Sequence, residues 1–200
     1  SEQIRATTSW RQYFDAQAAL AKLTGEPQWV TDLYNQYVAQ VDQALAENRG
    51  LTGNLPICNY TFDVPPPVNG KGAIVSYTKP IILLTDNFTL SAAEVFSMFL
   101  QDNQRATIVG TPTDGGGGNV VGYDSVTNYS QGYARVTEGI ITRLNPVATP
   151  GFPAIGYYDG VGIYPDVVED YMTVDNLMHR GTTFVSDITA VLNGLIAKAK

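Results

Sequence analysis

The stretch from Ile81 to Gly118, IILLTDNFTLSAAEVFSMFLQDNQRATIVGTPTDGGGG, decides the fold. Its first four residues, 81–84, are all apolar and predict a strand that is buried on both faces. After a polar turn at 86–89, apolar residues recur at helical spacing: Ala92, Val95, Phe96, Phe99 and Leu100. A second buried strand is predicted at 106–110. Together these elements predict two parallel strands joined by a right-handed helical crossover.

Ser91 lies where the predicted turn meets the predicted helix. The first N–H groups of a helix have no partners within the helix and carry partial positive charge. A hydroxyl at this point is placed to attack a carbonyl, while those amides stabilise the developing negative charge. A purely structural interpretation is also open, because Ser91 and Glu94 have the spacing of a capping box.

A longer pattern extends from this serine. Ser-Ala-x-Glu at 91–94 is followed by Arg-Ala at 105–106 and by Val-Gly-x-x-Thr-x-Gly-x-Gly at 109–117. In order and spacing this pattern resembles the nucleophile region of the C-terminal-processing, or tail-specific, serine peptidases. The resemblance implies an α/β fold, namely a ClpP/crotonase-like spiral with a mixed sheet. It also implies hydrolysis of a peptide or protein substrate through an acyl-enzyme.

The resemblance assigns roles to four residues of this stretch. Ser91 would be the nucleophile, and the amide of Ala92 would donate to the oxyanion. Thr113 and Gly115 match the motif and would support the site. A turn role for Thr113 is equally open. Glycine-rich loops also bind phosphate, but the Lys-Ser/Thr pair that completes such a loop does not follow the glycines at 115–118.

The identity of the general base separates two branches of this family. One branch uses a lysine at the position that corresponds to Gly116 here, so the resemblance favours the branch with a histidine and an acid. That branch includes the tricorn core protease and the chlamydial protease-like activity factor. Its acid is a glutamate in a segment that resembles DGVGIYPD at 159–166. Asp159 falls on the acid position, although an aspartate before glycine is also a common turn former.

The expected histidine is the main gap in the pattern. The sequence contains one histidine, His179, and it does not lie at the family's position, which precedes the nucleophile. We expect a structural role for it at the surface or at a helix end. The base is therefore expected from an upstream part of the same polypeptide, and the 200 residues alone are expected to be inactive. The alternative function is a non-catalytic ligand- or peptide-binding module, as in the retinoid-binding relatives.

Composition excludes several other classes of function. The net charge is −7 without any basic cluster, which argues against a nucleic-acid partner. No run of eighteen apolar residues is present, so no membrane span is predicted. The single cysteine, Cys58, excludes an internal disulfide and is interpreted as a small apolar residue in a strand. The acidic residues near the C-terminus lack metal-loop spacing, and neither a metal nor a cofactor is expected.

The flanking segments complete the predicted architecture. Residues 1–50 are predicted as a helical lead-in that packs on the core, with helices from Ser9 to about Leu23 and from Glu26 to about Asn48. Residues 51–200 are predicted as the C-terminal part of a peptidase catalytic domain. Further strands are predicted at 55–64, 120–130, 133–137, 139–144 and 167–169, a loop at 145–151, and a helix at 182–197.

Location and assembly are less well specified. The chain opens with Ser1 and shows no signal peptide, so we expect either a processed product or an excised piece of a longer protein. Few lysines and many Tyr, Asn and Gly residues suit an exported bacterial protein, either periplasmic or secreted. The oligomeric state is left open by the sequence.

Overall fold

The computed structural model describes residues 1–56, 66–126 and 131–199. The chain forms two compact units. Unit 1 comprises Ser1–Phe62 and Gly117–Leu144, and unit 2 comprises Asp63–Gly116 and Asn145–Lys200. The predicted strand at 55–64, with Cys58, and the last residues of the predicted strand at 120–130 lie largely outside the described residues. The domain boundary at residue 50 stays a prediction.

The elements follow one another as β1 (Glu2–Ile4), α1 (Thr8–Thr24), α2 (Gln28–Ala46), β2 (Ile82–Thr85), α3 (Ala92–Asp102), β3 (Thr107–Gly110), β4 (Asn119–Val126), β5 (Gln131–Thr149), β6 (Phe152–Tyr157), β7 (Val167–Val168), α4 (Val174–Met178) and α5 (Thr182–Lys198). Parallel and antiparallel strands both occur, and helices lie between them. The predicted α/β class and the N-terminal helical hairpin are confirmed, and the parallel and antiparallel pairings lie in two separate sheets.

The N-cap of the first helix lies two residues before Ser9, which the capping-box spacing of Ser9 and Gln12 predicts as the cap. Thr7, with an extended backbone, is the N-cap residue, and its hydroxyl accepts a hydrogen bond from the Trp10 amide at 3.2 Å. The prediction of Ser9 as the cap was wrong, since Thr7 offers the same hydroxyl one position before the helix. Gly25 ends the helix in a left-handed conformation, as Gly commonly does.

The core of unit 1 is built from the two N-terminal helices and the strand residues beside them. Its members are all apolar or aromatic: Ile4, Phe14, Ala18, Ala21, Val30, Leu33, Tyr34, Tyr37, Val41 and Leu55. On each helix, apolar residues at helical spacing predict one buried face, and the helical core residues lie on it. On α2 this spacing includes Leu45, which is instead 40% exposed, whereas the neighbouring Ala44 is buried.

The sheet of unit 1 is antiparallel, with the order β1-β5-β4. Strand β5 is continuous over the two predicted strands at 133–137 and 139–144 and over most of the predicted loop at 145–151. The strand does not end between Thr137 and Gly139, where a break was predicted, because Gly139 pairs with Ile4 on one side and with Asn119 on the other; only a register irregularity occurs there. The later residues stay extended because β6 also pairs with β5.

The sheet of unit 2 is parallel, with the order β2-β3-β7. Ile82 pairs with Thr107 and Thr85 pairs with Gly110, while Val109 pairs with Val167. Helix α3 connects β2 to β3, which confirms the predicted parallel pair and its helical connection. The C-terminal helix α5 also matches its prediction within one residue, whereas the short helix α4 was not predicted.

Burial of the decisive stretch differs from the prediction. Leu84 in β2 is 49% exposed, so this strand is not buried on both faces. On α3, Phe96 and Phe99 are 55% and 45% exposed, although both belong to the predicted buried face. The residues that α3 does bury are Glu94, Ser97, Met98 and Gln101.

The orientation of α3 has a hydrogen-bonding cause. The amide of Gln101 donates to the carbonyl oxygen of Tyr164 at 3.0 Å and to Asp166 Oδ1 at 3.1 Å. Asp166 also accepts the Ile108 amide at 2.7 Å, so it joins helix α3 to strand β3. These directional contacts turn the polar face of the helix toward the sheet. Hydrophobic periodicity identified the helix but not the face that is buried.

Within the described residues, no helix combines the length and the apolar character that a membrane crossing requires. The same residues contain no group of three or more His, Cys, Asp or Glu side chains placed to hold a metal ion.

Candidate active site

The turn after β2 carries the chain from the sheet to Ser91. Asp86 builds this turn: its Oδ1 accepts the Phe88 amide at 2.9 Å and the Thr89 hydroxyl at 3.3 Å. The Thr89 amide donates to the Asp86 carbonyl oxygen at 3.0 Å. An aspartate that bonds its own backbone in this way is a common turn former. The turn therefore fixes the direction in which the chain enters α3.

Ser91 itself has an unusual backbone conformation, with φ 58° and ψ −121°. Non-glycine residues rarely have positive φ, and such a conformation costs about 1–3 kcal/mol unless the surroundings hold it. A strained serine between a strand and a helix is also the arrangement that exposes the hydroxyl of nucleophilic serines in α/β hydrolases. The Ser91 side chain is exposed here.

The predicted capping-box alternative is present. Ser91 and Glu94 form a capping box, in which the Ser91 amide donates to Glu94 Oε2 at 2.9 Å. The Glu94 amide also donates to the Ser91 carbonyl oxygen at 2.9 Å. Ser91 therefore has a structural role at the start of α3, and its role as a nucleophile stays a prediction.

Glu94 is the centre of a buried hydrogen-bond network. It is 0% exposed. Its Oε1 accepts the Thr113 hydroxyl at 2.6 Å and the Gly115 amide at 2.7 Å, and its Oε2 accepts the Ser91 amide. A buried carboxylate is tolerated when charge-assisted hydrogen bonds of this kind satisfy it. Sequence reasoning gave Glu94 only a capping role, although its place in the same motif as Thr113 and Gly115 was the available signal.

The Thr113 loop is joined in turn to the segment that contains Asp159. The Thr113 hydroxyl accepts the Ile163 amide at 2.7 Å, and the Thr113 amide donates to the Ile163 carbonyl oxygen at 3.2 Å. The Gly160 amide donates to the Gly115 carbonyl oxygen at 2.8 Å. The motif around Ser91 and the segment at 159–163 are therefore held together by three hydrogen bonds.

Asp159 lies in a tight turn that is part of this junction. The buried Tyr158 supplies a carbonyl oxygen that accepts the amides of Val161 at 2.9 Å and Gly162 at 2.7 Å. Asp159 and Gly160 form the corner, so the turn role considered for Asp159 is present. Because the corner is bonded to the Gly115 loop, a turn role does not exclude an acid role. The catalytic role of Asp159 stays a prediction.

The amide of Ala92 is suited to the predicted oxyanion role. Ala92 is the first residue of α3 and is exposed. Within residues 1–56, 66–126 and 131–199, its N–H group donates no hydrogen bond. An amide without an acceptor at a helix N-terminus is a ready donor to a developing negative charge.

His179 lies at the C-terminal end of α4 and is exposed. Its Nδ1 is 2.9 Å from Asp175 Oδ1, one helical turn earlier. Hydrogen bonds from Thr183 and from His179 lower the pKa of Asp175. This is the helix-end position that the sequence predicted for His179, with a hydrogen-bonding partner on its own helix.

Comparison with known proteins identifies a matching family. Residues 14–151 match the sequence model of peptidase family S41. A protein of Chlamydia pneumoniae is 27% identical over 176 residues, which cover 86% of this chain and 25% of that protein. An uncharacterized protein of Chlamydia muridarum is 50% identical over 46 residues, which cover 23% of this chain and 8% of the relative. The family match includes the motif at 91–117 and ends before Asp159.

Two solved structures share the fold. Mature CPAF complexed with lactacystin superposes with a TM-score of 0.70 at 19% identity, covering 98% of this chain and 38% of that chain. Mature CPAF gives a TM-score of 0.66 at 19% identity over 96% of this chain and 38% of that chain. This chain spans well under half of CPAF and a quarter of the C. pneumoniae relative.

Proposed function

Because this chain belongs to peptidase family S41, we propose that it forms part of a serine peptidase domain that cleaves a peptide or protein substrate, with Ser91 as the nucleophile. The observation that supports this most strongly is the strained backbone of Ser91, at φ 58° and ψ −121°, between β2 and α3. Strain of this kind persists only where surrounding contacts maintain it, and it occurs preferentially at functional sites. The buried Glu94 network supplies those contacts.

The proposed reaction proceeds through an acyl-enzyme. The Ser91 oxygen attacks the substrate carbonyl carbon, and its proton passes to a general base. The Ala92 amide donates to the resulting oxyanion. Collapse of this intermediate breaks the peptide bond, and the leaving amine takes the proton back from the base. Water then hydrolyses the ester and regenerates Ser91.

Glu94 positions the nucleophile and does not act as the base. Its carboxylate already accepts three hydrogen bonds, from Ser91, Thr113 and Gly115, and the side chain is buried. A general base needs access to the proton that it removes. Thr113 and Gly115 support the site by holding Glu94, which is the supporting role assigned to them by the sequence motif.

The general base in this proposal is a histidine from a part of the polypeptide outside these 200 residues, oriented by Asp159. The residue at the alternative lysine position is Gly116. The one histidine of this chain is engaged with Asp175 at the end of α4. The hydrogen bonds between the Asp159 segment and the Gly115 loop support a position for Asp159 beside the nucleophile loop. We therefore expect little or no turnover from the 200 residues alone.

A fluorophosphonate probe tests this proposal, because it reacts with activated serines. In the full-length natural protein the probe is expected to label Ser91, and Ser91→Ala should abolish labelling. Ser97→Ala is the matched control, since Ser97 lies on the same helix and donates to the Ala93 carbonyl oxygen at 2.8 Å. Absence of labelling in a folded full-length protein would instead favour the non-catalytic binding module. Robust turnover by the 200 residues alone, lost in Ser91→Ala, would show that the base lies within them.

A further inference from the structure

A cleft of about 900 Å³ lies at the carboxyl ends of the parallel strands of unit 2. We call it the acidic cleft. Its walls come from the segments that follow β2, β3 and β7 and from α5: residues 84–89, 111–113, 169–172 and Phe184. Crevices at the carboxyl ends of parallel strands are common ligand sites in α/β proteins.

The acidic cleft adjoins the proposed active site through two of its walls. The turn at 86–89 leads directly into Ser91, and the Asp114 amide donates to the Thr89 carbonyl oxygen at 3.0 Å. Thr113, which also lines the cleft, donates its hydroxyl proton to Glu94. A chain segment in the cleft would therefore contact the same turn and loop that position the nucleophile.

Exposed apolar side chains form much of the wall. Phe88 is 78% exposed, Met172 is 81% exposed and Tyr171 is 54% exposed. The Tyr171 and Phe184 rings meet edge to face at a centroid distance of 5.3 Å. Apolar and aromatic side chains that remain exposed in a concave site favour an apolar group of a ligand.

The charged residues of the cleft are all acidic. Asp86, Glu169 and Asp170 line it, and its lining includes no lysine, arginine or histidine. Two of these carboxylates have a structural task, since Asp86 accepts the Phe88 amide and Asp170 accepts the Met172 amide. The carboxylate of Glu169 differs: across the described part of the chain it has neither a hydrogen bond nor an ion pair.

The surroundings of Glu169 disfavour its negative charge. The side chain is partly buried, and this desolvation raises its pKa; the nearby charges of Asp187 and Asp170 raise it further. A cation placed among these groups would stabilise the carboxylate and relieve the repulsion between like charges. The cleft thus combines an apolar wall with a carboxylate that lacks a partner.

We propose that the acidic cleft binds a peptide segment in which an apolar side chain adjoins a lysine or arginine. The apolar side chain packs against Phe88, Met172 and Tyr171, and the cationic group pairs with Glu169. As a subsite of catalysis this inference rests on the proposed function of Ser91. The binding itself requires only the cleft.

Binding of short fluorescent peptides to the full-length Ser91→Ala protein tests the proposal without cleavage. Three peptides that differ at two central positions are compared: Phe-Lys, Phe-Gln and Ala-Lys. The Phe-Lys peptide is expected to bind about five- to tenfold more tightly than Phe-Gln, and the difference should shrink in high salt. Ala-Lys should also bind more weakly than Phe-Lys, because it lacks the apolar contact.

Glu169→Gln should bring the affinities for Phe-Lys and Phe-Gln within about twofold of each other. Glu26→Gln makes the same change in net charge at an exposed residue of unit 1 and should leave the preference intact. Phe88→Ser, at a residue that is 78% exposed and so does not threaten the fold, should weaken both Phe peptides equally. Circular dichroism checks that each variant is folded.

Equal affinity for Phe-Lys and Phe-Gln in the parent protein would overturn this inference. The inference would also be overturned if Glu169→Gln and Glu26→Gln reduced the preference for Phe-Lys over Phe-Gln to the same extent. Failure of the proposed function looks different: Ser91 would resist the fluorophosphonate probe while the preference for Phe-Lys persisted. Labelling of Ser91 without a charge preference would keep the peptidase proposal and remove the cleft from it.

Discussion

Helices α1 and α2 of unit 1 and helix α3 of unit 2 use their apolar faces in opposite ways. In unit 1 the apolar faces are buried, and Phe14 is only 1% exposed. In unit 2, α3 buries Glu94 and Gln101 and leaves Phe96 55% exposed. Unit 1 is therefore held by apolar packing, whereas the region around Ser91 is held by directional hydrogen bonds.

This difference suits the two tasks. Apolar packing is strong and tolerates exchange of one apolar side chain for another of similar size. A buried network that is fully satisfied specifies one arrangement of its members, which a strained nucleophile requires. Mutations in the two regions should therefore differ in their effects on the free energy of unfolding and on labelling of Ser91.

The largest expected effect is on the core of unit 1. Phe14→Ala should lower the free energy of unfolding by about 3–5 kcal/mol, because it leaves a cavity among packed side chains. Both tryptophans of the chain, Trp10 and Trp29, lie in unit 1, so their fluorescence during urea unfolding reports on this unit. The matched variant Phe96→Ala removes a side chain that is largely exposed. It should lower the free energy of unfolding, measured by circular dichroism, by less than about 1 kcal/mol. Similar losses from both variants would contradict the contrast.

The next largest effect is expected at Gly162. It has φ 87°, and an added Cβ would lie 2.2 Å from the Thr113 carbonyl oxygen. Gly162→Ala should therefore lower the free energy of unfolding by about 2–4 kcal/mol. It should also reduce labelling of Ser91 by the fluorophosphonate probe, because it pushes the segment at 159–163 away from the Thr113 loop. Gly25→Ala is the control, because Gly25 has φ 74° with open space around it. It should cost about 1 kcal/mol, from backbone strain alone, and leave labelling unchanged. A smaller decrease in the free energy of unfolding for Gly162→Ala than for Gly25→Ala would show that the close contact between Gly162 and Thr113 is not required.

Glu94→Gln sharpens the comparison within α3. The Gln side chain keeps an oxygen for Thr113 and Gly115 but would direct its NH₂ group at the Ser91 amide, so two donors would face each other. We expect the free energy of unfolding, measured by circular dichroism, to fall by about 1–3 kcal/mol. The fluorophosphonate probe should label Ser91 at least about tenfold more slowly. Ser97→Ala on the same helix should leave labelling intact. Unchanged labelling in Glu94→Gln would remove Glu94 from the positioning of Ser91.

The smallest expected effect is a pH dependence in unit 1. Burial raises the pKa of Glu2 above its ordinary value of 4.5, although a hydrogen bond from Tyr37 and the N-terminal charge oppose this. The folded chain therefore binds this proton more tightly than the unfolded chain, and stability falls as pH rises above 4.5. Glu2→Gln should raise Tm near neutral pH and lose that advantage in acid.

Glu138 should behave in the opposite way and serves as the control. Burial favours its neutral form, but hydrogen bonds from Tyr123 and Trp10 and the charge of Arg5 outweigh burial and lower its pKa. Its contribution to stability is present above the ordinary carboxyl pKa and is lost as pH falls through the lowered value. Glu138→Gln should therefore lower Tm near neutral pH. Melting curves of both variants across pH measure the two changes in Tm. A change in Tm of the same sign in both variants near neutral pH would contradict the opposite pKa shifts of Glu2 and Glu138.

Much of the fold could be predicted because its signals are local. The apolar run at 81–84 and the turn at 86–89 predicted a strand before Ser91, and helical spacing predicted a helix after it. Gly25 marked the end of α1, and helical spacing marked α2. The prediction failed where distant partners decide, as in the continuity of β5 through Gly139, which depends on pairing with both β1 and β4.

The candidate site divides along the same line. The sequence by itself determined that a serine lies at a strand-to-helix junction, because turn chemistry and helical periodicity act over a few residues. Only the tertiary structure decided that Glu94 joins Ser91 to Thr113, which lies 19 residues after Glu94. It also decided that Thr113 bonds to Ile163, a further 50 residues along the chain. Buried hydrogen bonds between such distant segments form only when the whole unit has folded, and they turned the polar face of α3 inward.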